Sequence, residues 1–339
     1  MSGDLAPDWI LKAALATQDT AHKSFVRMKP ELRTQDEGLT MTVLGCGTMG
    51  TALLTGLLKS IKPQSQANNH DAAQAQNLPP RIPTKFNACV RTSTTAKKVH
   101  AALDKFDANL QVFENDNVTA VKEADVILLA CPLDVIKDIL CANGMAGALD
   151  DKLLISIVAG VSQRQILDIV FSSEDSLSLT SLTVLRAAPN LAAAVGEGMT
   201  IIARPESAPG DDNRDLVDSI FQSVGKILYL PEEKFDAGMA LSCSGQAIYA
   251  LVTESLAAGA IRSGVPREEA YTMAAQVLKG TAGLLQNGEH PALLRDELSV
   301  PGSCTSLALQ VLEEGAVRGT ISRAVTEAAH AAKKTKSIH

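Results

Sequence analysis

Gly45, Gly47 and Gly50 punctuate the stretch Met41-Thr42-Val43-Leu44-Gly45-Cys46-Gly47-Thr48-Met49-Gly50, and glycines at that spacing can receive a phosphate. An apolar run enters the turn, and beyond it the apolar spacing becomes helical through Thr51-Ala52-Leu53-Leu54-Thr55-Gly56-Leu57-Leu58. The pattern predicts strand, tight turn and helix. Gly45 can take the turn dihedral, and Gly47 leaves room for a pyrophosphate beside Leu44 and the turn backbone. The free N–H groups that open the helix at Thr48 and Met49 attract negative charge. A small residue at position 50 lets helix and strand pack closely. Glycine-rich turns also serve plain connections, so the dinucleotide reading rests on context: this turn begins a series of alternating strands and helices.

A second chemical signal follows the predicted strand 86–90, which runs into Arg91-Thr92-Ser93. An acidic residue there would bond the ribose 2'-hydroxyl of NAD; a guanidinium and two hydroxyls suit a 2'-phosphate, so NADPH is favoured over NADH, which stays possible. The alternative is that Arg91 is an ordinary solvated charge. Asn117 opens the helix before the next buried strand and either caps it or reaches the cofactor from the sheet's carboxyl edge. Further cofactor candidates stand where later strands end: Ala130, Cys131 and Pro132, then Val158, Ala159 and Gly160, then Asn190.

The elements that must carry these residues alternate regularly. A helix is expected over 94–106, strands over 110–113, 125–130 and 153–158, and a helix capped by Ser162. A strand ending at Asn190, a strand over 199–203, a helix over 211–224 and a closing strand over 226–230 complete an α/β, Rossmann-type dinucleotide-binding domain spanning 41–231. Within it, residues 60–84 are a polar insertion rich in Gln, Asn and Pro. Residues 1–40 form an N-terminal extension with one or two amphipathic turns near Trp9. From 232 to 339 the pattern is all helical and rich in Ala and Leu. It carries more apolar surface than so small a unit can hide, which implies packing against a second subunit.

Composition removes several function classes. Aromatic residues are only 3% and the net charge is -7, which argues against stacking on or neutralising a nucleic acid. Six scattered cysteines without Cys-x-x-Cys spacing read as reduced thiols, neither disulfides nor zinc ligands. No apolar run reaches the roughly 20 residues of a membrane span, and no leader is evident, so the cytoplasm is the expected compartment.

The chain resembles the pyrroline-5-carboxylate reductase family, particularly its fungal members. The resemblance rests on separated blocks: Val43 to Gly50, Asn117 with Ala124-Asp125, Ser156 to Val161, Arg186 to Asn190, Leu241 to Gly245, Gly264 to Arg267, Lys279 to Gly283, Gly288 to Ala292, Pro301 to Thr305 and Val311 to Gly315. It implies NAD(P)H-dependent reduction of a cyclic imine to proline, a Rossmann domain followed by an all-helical dimerisation domain, and homodimers that commonly assemble further. The substrate would lie where the helical part of one subunit meets the nicotinamide. That nominates Leu298, Gly302, Ser303, Cys304 and Thr305 for substrate binding, and Thr305, Ser303 and Ser244 for catalysis. The helix beginning after Pro301-Gly302 offers N–H groups to a carboxylate, with the Thr305 hydroxyl beside them. The plainer alternative is a helix N-terminus capped by Thr305.

Chemistry agrees with an imine substrate. A carbonyl reductase needs a Lys, His or Tyr to protonate the alkoxide, and the blocks at the expected site, Val43 to Gly50, Leu241 to Gly245 and Pro301 to Thr305, supply none. A protonated imine becomes a neutral amine on taking hydride, so the protein need only position and desolvate it.

Departures from the family pattern cluster at the expected site. Ser242-Cys243-Ser244-Gly245-Gln246-Ala247 stands where Ser-Gly-Ser-Gly-Pro-Ala is usual, and Val300-Pro301-Gly302-Ser303-Cys304-Thr305 where Ser/Thr-Pro-Gly-Gly-x-Thr is usual. Cys131-Pro132-Leu133 lacks the common cofactor-loop lysine, and Ala188 replaces a methionine, an exchange expected to enlarge a pocket. These changes leave three expectations: a reductase of pyrroline-5-carboxylate or a substituted analogue, an inactive NADP(H)-binding regulatory paralogue, or a hydroxyacid dehydrogenase-like enzyme. The last is disfavoured because the helix after Ser242 has no lysine.

Overall fold

In the computed structural model, residues 38–61, 82–173, 179–204 and 211–334 are described. Residues 1–37 of the expected N-terminal extension and most of the polar insertion lie outside these residues. Apolar runs become strands β1 (Thr40–Leu44), β2 (Lys85–Val90), β3 (Asn109–Glu114), β4 (Val126–Leu129), β5 (Lys152–Ser156), β6 (Leu182–Ala188), β7 (Gly198–Ala203) and β8 (Gly225–Leu230). They form one sheet in the order β3-β2-β1-β4-β5-β6-β7-β8, parallel throughout except where β6 meets β7. Sequence order reverses between β1 and β4, so the connections leaving these strands diverge and open a crevice at their carboxyl ends.

Helices cover the sheet: α1 (Thr48–Ile61), α2 (Ser93–Leu103), α3 (Asn117–Lys122), α4 (Ile136–Leu140), α5 (Met145–Leu149), α6 (Gln163–Phe171) and α7 (Asp211–Gln222). One core cluster joins Val43, Leu53, Leu57, Phe86 and Phe221; the other joins Leu44, Ile127, Leu129, Met145 and Ile166. Both faces are thus closed, which is why the inner strands read as unbroken apolar runs. Thr42 and Asn87 are buried polar exceptions that satisfy each other and the Ala120 carbonyl. Ser162 does cap α6, in a reciprocal capping box with Gln165. Two expectations need correction. The helix expected over 94–106 ends at Leu103 and tightens into a 3-10 turn, Asp104–Phe106. The cap of α3 is Asp116, whose carboxylate accepts the Thr119 N–H, so Asn117 is the first helical residue.

Beyond β8 the chain is helical. Helix α8 (Glu232–Met239), a π turn (Ala240–Ser244) and α9 (Gly245–Arg262) run on without a break, followed by α10 (Arg267–Gln286), α11 (Pro291–Leu298), α12 (Cys304–Glu314) and α13 (Val317–Lys334). α9 and α10 pair through a small alanine core, Ala257, Ala270 and Ala274, while α13 returns to α8 and the π turn. α11 and α12 bury no residue at all. Leu251, Val277, Leu293, Leu307 and Val311 are each at least 60% exposed. None of the described helices is long and apolar enough to cross a membrane.

Candidate active site

The three turn glycines stand in three different surroundings. At Gly45 the backbone sits at φ +84°, and a Cβ would lie 2.6 Å from the Cys131 Cα. At Gly50 it would lie 2.8 Å from the Val43 methyl, so that glycine serves helix-strand packing. At Gly47 a Cβ would meet nothing within 4 Å among the described residues. The protein's own packing gives no reason for glycine there, and the space above it is open at the carboxyl ends of β1 and β4. The N–H groups of Thr48, Met49 and Gly50 occupy the first turn of α1, where a helix offers no internal acceptors. Open backbone facing a helix N-terminus fits a dinucleotide pyrophosphate.

Around this turn the neighbouring strands hold one another. The Cys46 N–H donates to the Cys89 carbonyl and the Ala130 N–H to the Leu44 carbonyl, both at 2.8 Å. Arg91, Thr92 and Ser93 are exposed just beyond β2. The Thr92 hydroxyl accepts the Thr95 N–H and caps α2, so its role is at least partly structural. Ala130, buried Cys131 and exposed Pro132 follow β4; Val158, Ala159 and Gly160, with φ +78° at the glycine, follow β5. Half-buried Asn117 stands at the start of α3. All these candidates therefore gather along one edge of the sheet. Burial pushes the thiols there upward, Cys46 and Cys131 each to about 11, while burial and the nearby Cys46 push Cys89 to about 12. They are packing groups at neutral pH, not nucleophiles.

The loop after β6 joins this edge to the helical half. The Asn190 amide donates to the Ser242 carbonyl at 3.0 Å, and its oxygen accepts the Met199 N–H at 3.2 Å. The Leu191 N–H donates to the Gln246 side chain at 3.1 Å, and the Cys243 thiol lies 3.6 Å from the Pro189 carbonyl. Half-buried Ser244 sits in the π turn between these ties. Four residues before Asn190, within β6, buried Arg186 pairs with Glu232, lies 3.7 Å from Asp236 and stacks on the Phe235 ring at 4.2 Å. Thus the departures Cys243 and Gln246 build contacts to the β6 loop. Ala188 does not enlarge a pocket: it is buried with Ile201, Ala203 and Phe235 in a separate small core. Its side chain is on the opposite face of β6 from Ala187, which belongs to the main cluster.

The second group of candidates stands at the start of α12. Gly302 has φ +75°, and the Ser303 hydroxyl accepts the Ser306 N–H, so Ser303 is the cap and half-buried Thr305 is not. Cys304 and Leu298 are exposed. Among the described residues no hydrogen bond or ion pair joins residues 298–305 to the glycine turn. Sequence reasoning missed Arg186 as a linking residue because its partners lie 46 and 50 positions away.

Comparison with known proteins places both halves. Residues 232–335 match the pyrroline-5-carboxylate reductase dimerisation family, and residues 40–160 match a family described as NADP oxidoreductase, coenzyme F420-dependent. The chain is 44% identical over 294 residues to a pyrroline-5-carboxylate reductase of Lophium arboricola, covering 86% of this chain and 91% of that one. It is 40% identical over 318 residues to the Neurospora crassa protein of that name, covering 88% and 93%. In fold it is similar to a crystal structure of Plasmodium falciparum pyrroline carboxylate reductase with NADP bound, at TM-score 0.70 and 23% identity over 89% of this chain and 99% of that one.

Proposed function

This chain belongs to the pyrroline-5-carboxylate reductase family, and on that premise we propose that it is an NADPH-dependent reductase of 1-pyrroline-5-carboxylate or a ring-substituted analogue, yielding proline or the matching derivative. The open backbone at Gly47 carries the reading, because it is the one turn glycine whose small size nothing among the described residues demands. The turn from Gly45 to Gly50 would hold the pyrophosphate, and Arg91 with Ser93 the 2'-phosphate. Residues 130–132, 158–160 and Asn117 would line the remaining edge. When bound, the reduced nicotinamide supplies hydride.

The chain's own residues then bind and orient the imine. First-turn N–H groups of α12 at Cys304 and Thr305 would take the substrate carboxylate, with the Thr305 hydroxyl not committed to capping and free to face the ring nitrogen. Ser303 keeps that turn in shape by holding the Ser306 N–H. Ser244, fixed by the ties from Asn190 and Gln246, would border the ring. No side-chain acid is needed, since the iminium becomes a neutral amine.

The reading includes a homodimer. Exposed apolar side chains on α9 to α12 each gain about 1.5–3 kcal/mol on burial, and a face of this extent is unusual on a monomer. A second copy would cover it and bring its own residues 298–305 toward this chain's sheet edge. The two-domain division at 231/232 and a cytosolic site belong to the same reading; six free cysteines suit a reducing compartment. Steady-state rates with pyrroline-5-carboxylate, its alkyl-substituted analogues and a panel of 2-hydroxyacids test it. Turnover of an imine is expected, and oxidation of a hydroxyacid in preference to any imine reduction refutes it.

A further inference from the structure

Arg91 leaves the end of β2 from a backbone that a single neighbour holds on both sides. Asn115, the residue after β3, donates its backbone N–H to the Val90 carbonyl at 3.0 Å and its side-chain amide to the Arg91 carbonyl at 3.0 Å. The first carbonyl belongs to the peptide plane before the Arg91 Cα, the second to the plane after it. Fixing both planes fixes φ and ψ of Arg91, and with them the direction of its Cα–Cβ bond. The Thr92 cap on α2 holds the next residue in turn.

The chemistry of Asn115 matches this task. Its φ is +54°, a left-handed conformation that Asn tolerates better than other residues with a side chain except Asp, and the amide supplies the donor that Asp lacks. Val90 pairs with Glu114 in the β2/β3 register, so the sheet delivers Asn115 to the carbonyl beyond. Both residues are exposed, and the grip contributes little to the core.

We propose that Asn115 is a specificity-determining positioning residue: by gripping the backbone on both sides of Arg91 it aims the guanidinium at a 2'-phosphate and so sets the preference for NADPH over NADH. This rests on the assignment of Arg91 to the 2'-phosphate. The grip limits the arginine to side-chain rotation, so less freedom is lost when the phosphate arrives.

Asn115→Gly removes the amide while keeping the backbone bond and suiting the positive φ, so the variant is expected to fold. Dissociation constants for NADPH and NADH are measured by calorimetric titration on the wild type, Asn115→Gly, Arg91→Ala and the double variant, with thermal unfolding alongside. Asn115→Gly should weaken NADPH about fivefold to tenfold and leave NADH within about twofold, and it should add nothing once Arg91 is gone. Equal weakening of both dinucleotides, or an unchanged ratio while Arg91→Ala lowers it, overturns the role of Asn115 alone. An unchanged ratio in Arg91→Ala overturns the 2'-phosphate assignment beneath it.

Discussion

The side-chain amide of Asn190 reaches the Ser242 carbonyl at 3.0 Å while its oxygen receives the Met199 N–H. One side chain thereby sets the π turn, and Ser244 within it, against the carboxyl edge of β6. Asn190→Ala leaves a carbonyl and an N–H without their partner and should cost about 1–3 kcal/mol in urea unfolding. Because both ends of the Asn190 amide are committed to these ties and not to the cofactor for which its sequence position nominates it, KM for the imine should rise while the NADPH dissociation constant changes little. An unchanged imine KM would show that the tie does not position the substrate.

The turn glycines separate folding from binding. Gly47→Ala meets no atom of the described residues within 4 Å, so its melting temperature should stay close to wild type while NADPH binding weakens at least about tenfold. Gly45→Ala places a methyl against the Cys131 backbone at positive φ and should lower the melting temperature itself. Thermal unfolding beside fluorescence titration of NADPH reads both, and a Gly47→Ala protein with native affinity would contradict the assignment of that space.

Arg186 is the buried link between β6 and α8. Arg186→Met leaves Asp236, 1% exposed, without its guanidinium and is expected to cost about 3–5 kcal/mol in denaturant unfolding. A loss below about 1 kcal/mol would mean that the cluster is dispensable.

The thiols at the sheet edge predict an alkaline limit. Burial raises Cys46 and Cys131 from 9.0 to about 11 and, with the neighbouring Cys46, Cys89 to about 12, so the fold favours the protonated form. The unfolded chain releases these protons first. Their contribution is therefore intact below pH 9 and declines as pH rises through 11 to 12, by up to about 1.4 kcal/mol per pH unit for each thiol. Urea midpoints from pH 8 to 11 check this, and replacing Cys89 with Ser should flatten the decline.

Local patterns carried the strands, the glycine turn and the Ser162 cap, because each follows from a few adjacent residues. The cap of α3 was harder: Asp116 and Asn117 both suit it, and the choice depends on where the left-handed Asn115 ends the strand. Ala188 was misread because strand register, invisible in a single chain, decides which face each residue of β6 takes. The π turn at 240–244 left no trace in apolar spacing. The ties that complete the site, Arg186 to Glu232 and Asn190 to Ser242, join residues about fifty positions apart and only the fold brings them together.

Hydride transfer to the imine is tested most directly with NADPH deuterated at the transferable position and 1-pyrroline-5-carboxylate as substrate, reading the product by mass spectrometry and NMR. Proline carrying deuterium on the former imine carbon is the expected result. NADPH bound but unconsumed, with no labelled proline or proline derivative from any pyrroline carboxylate offered, would contradict it.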